Sequence, residues 1–225
     1  MTALTRKAFG GLLWLLIALA TSLFVPAWTF RYWQAWVFLA VFSASAVAIT
    51  AYLMRKDPKL LERRVRGGPL AEKEMGQTIV QFVASIAFVA VFVLSALDHR
   101  FHWSTVAPGV VLTGDALVAV GLLIVFLVFR ENTFASATIA VDADQKVVST
   151  GPYALVRHPM YVGGIVMLLG TPPALGSWWG LFAIIPITLA ILWRLLDEER
   201  FLAKNLPGYA EYRATVRYRL VPFLW

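Results

Sequence analysis

Four uninterrupted apolar runs, each about as long as a lipid bilayer is thick, dominate the first 130 residues of this chain. They cover about Phe9 to Phe30, Trp33 to Met54, Ile79 to Leu97 and Val106 to Phe129. A helix of roughly 20 apolar residues crosses a hydrocarbon core about 30 Å thick. Only helices and closed barrels satisfy backbone polar groups in lipid, and barrel strands would alternate apolar with polar residues. The runs therefore predict an all-α integral membrane protein.

The composition agrees with this and removes several classes of function. The chain is 60% hydrophobic with a mean hydropathy of +0.72, and it contains no cysteine, which excludes disulfides, thiolate metal sites and cysteine nucleophiles. The net charge of +7 has an ordinary explanation in a membrane protein, because cytoplasmic loops collect Lys and Arg. We therefore expect no nucleic-acid partner.

The fifth apolar run, residues 163–193, differs from the others because it is interrupted by Thr171-Pro172-Pro173 and by Gly176-Ser177. Adjacent prolines remove backbone donors and end a helix. The pattern predicts two shorter helices that form a membrane hairpin. The predicted fold class is thus four transmembrane helices plus a C-terminal helical hairpin and a cytoplasmic cofactor-binding segment.

The distribution of positive charge predicts the orientation of these helices. Seven basic residues lie in the loop 55–77, namely Arg55, Lys56, Lys59, Arg63, Arg64, Arg66 and Lys73. The positive-inside rule places this loop in the cytoplasm. The hairpin then keeps residues 130–162 and the basic tail 194–225 on the same side, whereas a single fifth span would put the tail outside. We expect a multi-pass protein of the inner (cell) membrane, with transmembrane helices in 1–129 and a catalytic region in 130–225.

Two polar segments flank the hairpin and carry the candidate chemistry. Arg157 and His158 precede it, and Arg194, Glu198 and Glu199 follow it. The hairpin brings these ends together at one membrane surface, where ionisable side chains are costly and usually functional. A lone arginine there is more often an interfacial anchor. The clustering, together with four nearby tyrosines, favours a binding site.

The same segments contain a recognisable pair of motifs. The first is Gly151-Pro152-Tyr153 with Val156-Arg157-His158-Pro159, Tyr161 and Gly163; the second is Glu198-Glu199 with Leu202, Gly208-Tyr209, Tyr212, Val216 and Arg219-Leu220-Val221-Pro222. Together they resemble the signature of the isoprenylcysteine carboxyl methyltransferase family, in its bacterial form. Its members are integral membrane enzymes that use S-adenosyl-L-methionine. The resemblance covers about residues 130–225, and phospholipid methyltransferases and some membrane sterol reductases look similar there.

The resemblance implies a role for each matching residue. The implied cofactor-binding residues are Gln145, Lys146, Val147, Val148, Tyr153, Arg157, His158, Pro159, Met160, Tyr161 and Glu198. Arg194, one helical turn before Glu198, would meet the substrate as the catalytic residue. The chain departs from the animal and yeast pattern at Gln145-Lys146, which replaces a His-Thr pair, and near Thr138, where the usual polar residue is missing.

The chemistry of methyl transfer leaves the acceptor open. A carboxylate is already ionised, so the enzyme mainly aligns the reactants, and Arg194 would anchor the acid. An amine acceptor would require a base, for which His158 and Glu199 are the candidates. We therefore expect a lipophilic substrate, such as an isoprenylcysteine-like carboxylate, and contact with membrane lipid.

Other functions remain as alternatives. An NADPH-dependent membrane reductase, a phospholipid amine N-methyltransferase and a non-enzymatic membrane carrier would each suit the apolar spans. Asp98, His99 and His102 suggest a metal site, but their position on the opposite side of the membrane favours interfacial residues. The sequence has no G-x-G-x-x-G after a strand, which excludes a soluble dinucleotide-fold methyltransferase.

Overall fold

The computed structural model describes residues 3–65, 75–135, 141 and 144–225. Part of the basic loop 55–77 and the predicted departure near Thr138 lie outside these described residues. Eight α-helices follow one another in the described residues: α1 Ala3–Ala27, α2 Trp33–Lys56, α3 Pro58–Val65, α4 Met75–Phe101, α5 Pro108–Glu131, α6 Pro159–Ala174, α7 Gly180–Asn205 and α8 Tyr209–Thr215. A short 3₁₀ helix, Gly151–Ala154, precedes α6.

The predicted all-helical membrane architecture is confirmed. Within the described residues, five helices are long and apolar enough to cross a bilayer, namely α1, α2, α4, α5 and α7. The sequence predicted four such helices and a hairpin of two shorter ones. The fifth is the second arm of that hairpin, because α7 continues past Trp193 to Asn205. Leu195 and Glu199, four residues apart, are both buried, so the polar segment keeps one helical face against the protein.

The hairpin turn forms slightly later than the prolines suggested. Pro172 and Pro173 lie in the last turn of α6, which ends at Ala174. Gly176 takes a positive φ of 68°, and the Ser177 amide donates to the Pro172 carbonyl at 2.9 Å. This is the six-to-one hydrogen bond of a helix end closed by a left-handed glycine. The prolines therefore accompany the end of the helix without removing its final turn.

Helices α5 and α6 pack with their backbones in contact. Gly114 and Gly121 on α5 face Gly170 and Gly163 on α6, in antiparallel order. A Cβ atom added to Gly121 would lie 2.5 Å from the Gly163 carbonyl oxygen, and one added to Gly114 would lie 2.7 Å from the Gly170 carbonyl oxygen. Small residues allow this close approach of membrane helices. The contact includes Gly163, which belongs to the first motif.

One end of the bundle collects the segments that were predicted to be cytoplasmic. Ala8 near the start of α1 belongs to the same buried cluster as Leu53, Leu60 and Val128 from the end of α2, from α3 and from the end of α5. Tyr153 and Met160 pack against this cluster. The start of α6 therefore lies beside the ends of α2 and α5.

Asp98 organises the opposite end of the bundle. Its buried carboxylate accepts hydrogen bonds from the Ser104 amide and hydroxyl, both at 2.7 Å, and from the Ser177 hydroxyl at 2.5 Å. The ring of His99 stacks on Tyr32 at 3.9 Å. Among the described residues, no group of three or more His, Cys, Asp or Glu side chains could hold a metal ion. Asp98 of α4 thus links the loop that contains Ser104 to the hairpin turn that contains Ser177.

Candidate active site

A cavity of about 400 Å³ opens at the end of the bundle where α6 begins and α7 ends. Every site residue predicted from the sequence lines it: Gln145, Lys146, Val147, Val148, Tyr153, Arg157, His158, Pro159, Met160, Tyr161, Arg194 and Glu198. The wall also contains residues that the sequence did not single out for the cofactor or substrate, namely Arg64, Gln81, Asn132, Phe134, Ala135, Leu202, Leu206, Tyr209 and Tyr212. The fold thus unites the two motifs with parts of α3, α4 and α8.

The first motif is held in place by the C-terminal tail. The amides of Arg157 and His158 donate to the carbonyls of Tyr218 and Arg219 at 2.9 and 3.0 Å. His158 is the N-cap of α6, and Pro159 takes the first helical position, where the missing N–H costs nothing. The motif therefore starts the helix and pairs with the tail.

Glu199 is the buried centre of an ionic network behind this motif. It is only 3% exposed. Its Oε1 accepts from Arg157 Nε at 2.6 Å and faces His158 Nε2 at 3.3 Å, while its Oε2 accepts from Arg219 Nε at 2.8 Å. With both oxygens engaged, Glu199 is placed as a structural counter-ion and is poorly placed as a general base.

Arg157 takes part in the same network. Besides its bond to Glu199, its Nη1 donates to the carbonyls of Val216 and Arg217 at 2.8 and 2.7 Å. Two nitrogens of Arg157 are therefore engaged by Glu199 and by the C-terminal tail.

A second cluster of polar side chains in the cavity consists of Tyr161, Glu198 and Arg194. The Tyr161 hydroxyl donates to Glu198 Oε2 at 2.6 Å, and Arg194 lines the same cavity. Arg194 Nη1 also donates to Gln77 Oε1 at 3.2 Å, and Gln77 Nε2 donates to Asp197 Oδ2 at 2.5 Å. Gln77, a buried residue of α4, thus positions Arg194.

Besides Tyr161, three further tyrosines line the cavity. Tyr153 Oη accepts from Asn132 Nδ2 at 2.9 Å, and burial, partly opposed by this bond, raises the pKa of Tyr153 to about 12. Tyr212 Oη donates to the Tyr153 carbonyl at 2.8 Å. Tyr209 is 4% exposed, and its hydroxyl has no hydrogen-bond partner among the described residues. A buried hydroxyl without a partner is costly, so a ligand that bonds to it would be favoured.

The central segment of the chain matches a known protein family. The model for the phospholipid methyltransferase family matches residues 110–207. This range contains all the site residues predicted from the sequence, whereas Arg64, Gln77, Tyr209 and Tyr212 lie outside it. The resemblance to membrane methyltransferases that the motifs indicated is thereby confirmed.

Individual relatives cover smaller parts of the chain. The cobalt-zinc-cadmium resistance protein CzcN of Cupriavidus metallidurans is 30% identical over 129 residues, which is 55% of this chain and 56% of the relative. The protein-S-isoprenylcysteine O-methyltransferase of Schizosaccharomyces pombe is 35% identical over 81 residues, 33% of each chain. The Delta(14)-sterol reductase TM7SF2 of Mus musculus is 29% identical over 91 residues, 39% of this chain and 22% of the relative. The chain thus spans about half the length of the first curated relatives it matches.

Proposed function

We propose that this membrane protein, with its match to the phospholipid methyltransferase family, transfers a methyl group from S-adenosyl-L-methionine to a lipophilic acceptor. The observation that carries the proposal is that all twelve site residues predicted from the sequence line one cavity. Its volume of about 400 Å³ lies within the usual range for small-molecule sites, about 300–1,000 Å³. The basic end of the bundle would face the cytoplasm from the inner membrane.

The residues in the cavity are chemically suited to this cofactor. When bound, S-adenosyl-L-methionine supplies an electrophilic methyl group on a sulfonium centre. Glu198 suits its amino group or ribose hydroxyls, and Lys146 suits its carboxylate. The Tyr209 hydroxyl, which has no hydrogen-bond partner in the described part of the chain, offers a further hydrogen bond. Tyrosine faces attract a sulfonium through cation–π interaction, worth about 0.5–2 kcal/mol.

The protein side chains favour a carboxylate acceptor, such as that of an isoprenylcysteine-like compound. Transfer to a carboxylate breaks one carbon–sulfur bond, forms one carbon–oxygen bond and releases no proton. The site then needs alignment and no base, which agrees with the engagement of both Glu199 oxygens. Arg194, held by Gln77, would orient the acid.

Two other activities are each supported by one comparison. The similarity to the sterol reductase favours an NADPH-dependent reductase, and the phospholipid methyltransferase match favours an amine acceptor. For an amine, His158 would be the base, since its ring lines the cavity and its Nε2 faces Glu199 at 3.3 Å.

Cofactor binding separates the methyltransferases from the reductase. Calorimetry on the detergent-solubilised protein should show binding of S-adenosylhomocysteine and none of NADPH. Glu198→Ala and Tyr161→Ala should each weaken S-adenosylhomocysteine binding by about 10- to 150-fold, the scale of a charge-assisted hydrogen bond of roughly 1.5–3 kcal/mol. Binding of NADPH alone would refute the proposal.

A further inference from the structure

We propose that Arg64, which lies outside the family match, joins Arg194 to form an anion-binding subsite that selects an acidic methyl acceptor. This inference rests on the proposed methyltransferase function and adds a residue outside the family match that would recognise an acidic acceptor. Both arginines line the cavity. Arg194 comes from α7, within residues 110–207, and Arg64 comes from α3 in the N-terminal part of the chain.

Helix α3 is a rigid support for Arg64. Asp57 Oδ1 accepts a hydrogen bond from the Leu60 amide at 3.0 Å, which caps the first turn. Leu60 is fully buried and Leu61 is 5% exposed, and both belong to the cluster at the end of α2 and α5. The short helix is therefore anchored by its apolar face.

The two arginines at the end of α3 have different positions. Arg63 Nη1 donates to the Thr133 carbonyl at 2.7 Å, and Arg63 is not among the residues that line the cavity. The Arg64 guanidinium lies 5.1 Å from the ring centre of Phe129, and its Nη1 is 3.8 Å from Met160 Sδ. Because Met160 is a predicted site residue in the cavity wall, the Arg64 guanidinium lies beside the site.

Arg64 and Arg194 also influence each other electrostatically. Burial and the positive charge of Arg194 lower the pKa of the Arg64 guanidinium. Two positive charges on one cavity wall attract an anionic group more strongly than a single charge does. In the same cavity wall, the Glu198 carboxylate accepts a hydrogen bond from the Tyr161 hydroxyl at 2.6 Å.

The chemistry of guanidinium groups indicates what the subsite binds. Planar arginine forks match the oxygens of carboxylate and phosphate groups. The shared ligand chemistry is therefore an anionic oxygen group on a lipophilic chain, whether the carboxylate of an acid or the phosphate of a lipid headgroup.

Three ligands with one hydrophobic tail test the subsite. Farnesylthioacetic acid, its uncharged amide and farnesyl phosphate are titrated in detergent into the wild type, Arg64→Gln, Arg64→Lys and Lys59→Gln. Lys59 is an exposed cation on the same helix and serves as the charge-matched control. S-adenosylhomocysteine binding is measured for every protein, so that a failure of the methyltransferase proposal is seen separately.

The wild type and Lys59→Gln should bind an anionic ligand at least about tenfold more tightly than the amide, the scale of one charge-assisted contact. Arg64→Gln should lose most of this ratio, and Arg64→Lys part of it, while S-adenosylhomocysteine affinity stays within about twofold of wild type. Tighter binding of the phosphate or of the carboxylate identifies the headgroup. Equal or absent binding of acid, phosphate and amide by the wild type would overturn the inference. So would an Arg64→Gln protein that keeps the full ratio or that loses cofactor affinity instead.

Discussion

The adjacent residues Glu198 and Glu199 should respond in opposite ways to the same substitution. Glu199→Gln preserves the size of the side chain and removes its charge. An amide has one acceptor oxygen and one donor nitrogen. In either orientation its nitrogen would face an arginine that also donates, because Arg157 and Arg219 approach the two Glu199 oxygens at 2.6 and 2.8 Å.

The structure allows the cost to be worked out. Arg219 is 27% exposed at its side chain and Arg157 is 5% exposed, so the amide nitrogen should turn toward Arg219, which can reach water. Arg157 then keeps a neutral hydrogen bond but loses its counter-ion. Losing a charge-assisted hydrogen bond beside a buried cation should cost about 3 kcal/mol. For a chain of this length, the melting temperature should fall by about 6–12 °C.

The assay is thermal unfolding in detergent, followed by the fluorescence of the nine tryptophans, with Glu198→Gln as the matched control. Glu198 lines the cavity, and the amide oxygen can still accept from Tyr161, so its melting temperature should change by less than about 3 °C. Its S-adenosylhomocysteine affinity should instead fall by about tenfold or more. Equal melting temperatures for wild type and Glu199→Gln would refute the role of Glu199 as a structural counter-ion.

Three further predictions concern other parts of the molecule. Tyr209→Phe removes a hydroxyl that has no partner among the residues the structure describes, so the melting temperature of the free protein should stay level or rise. Calorimetry should show S-adenosylhomocysteine affinity lower by about 2- to 13-fold, and a loss of stability would contradict this. Gly163→Ala should destabilise the protein by about 1–3 kcal/mol in thermal unfolding, because its Cβ would lie 2.7 Å from the Gly121 carbonyl oxygen. Gly164→Ala should be neutral, because a Cβ at that position meets nothing within 4 Å. Similar losses of stability in both variants would count against the α5–α6 contact. Because the chain has no cysteine, the variants Thr105→Cys and Lys204→Cys test the orientation of the helices in the membrane. An impermeant maleimide should label only Thr105→Cys in intact cells. Labelling of Lys204→Cys would place the C-terminal tail outside the cell.

The helices could be predicted because their signal is local. The length of an apolar run directly indicates a membrane-spanning helix. The adjacent prolines, together with a glycine, indicated the hairpin. The length of α7 was underestimated because the segment after Trp193 carries charged residues, which normally indicate the end of a membrane-spanning helix. Only the packing shows that Leu195 and Glu199 stay buried on one face.

The site residues could be located from the two motifs, but their partners could not. Glu198 and Glu199 have the same chemistry, and only the family resemblance assigned Glu198 to the cofactor. The fold points Glu198 at the cavity and Glu199 at Arg157, His158 and Arg219. Gln77 and Arg64 reach the site from distant helices, and no local pattern marks them. The α5–α6 contact did have a sequence signal, the seven-residue spacing that separates Gly114 from Gly121 and Gly163 from Gly170.

The backbone contact between α5 and α6 also limits how a hydrophobic ligand can enter. Where a single methyl group on Gly121 would lie 2.5 Å from the Gly163 carbonyl oxygen, no acyl or prenyl chain can pass. This seam is therefore a closed wall toward the lipid. A hydrophobic tail in the bilayer would have to approach the cavity from another side. The glycine contact thus excludes one direction of entry.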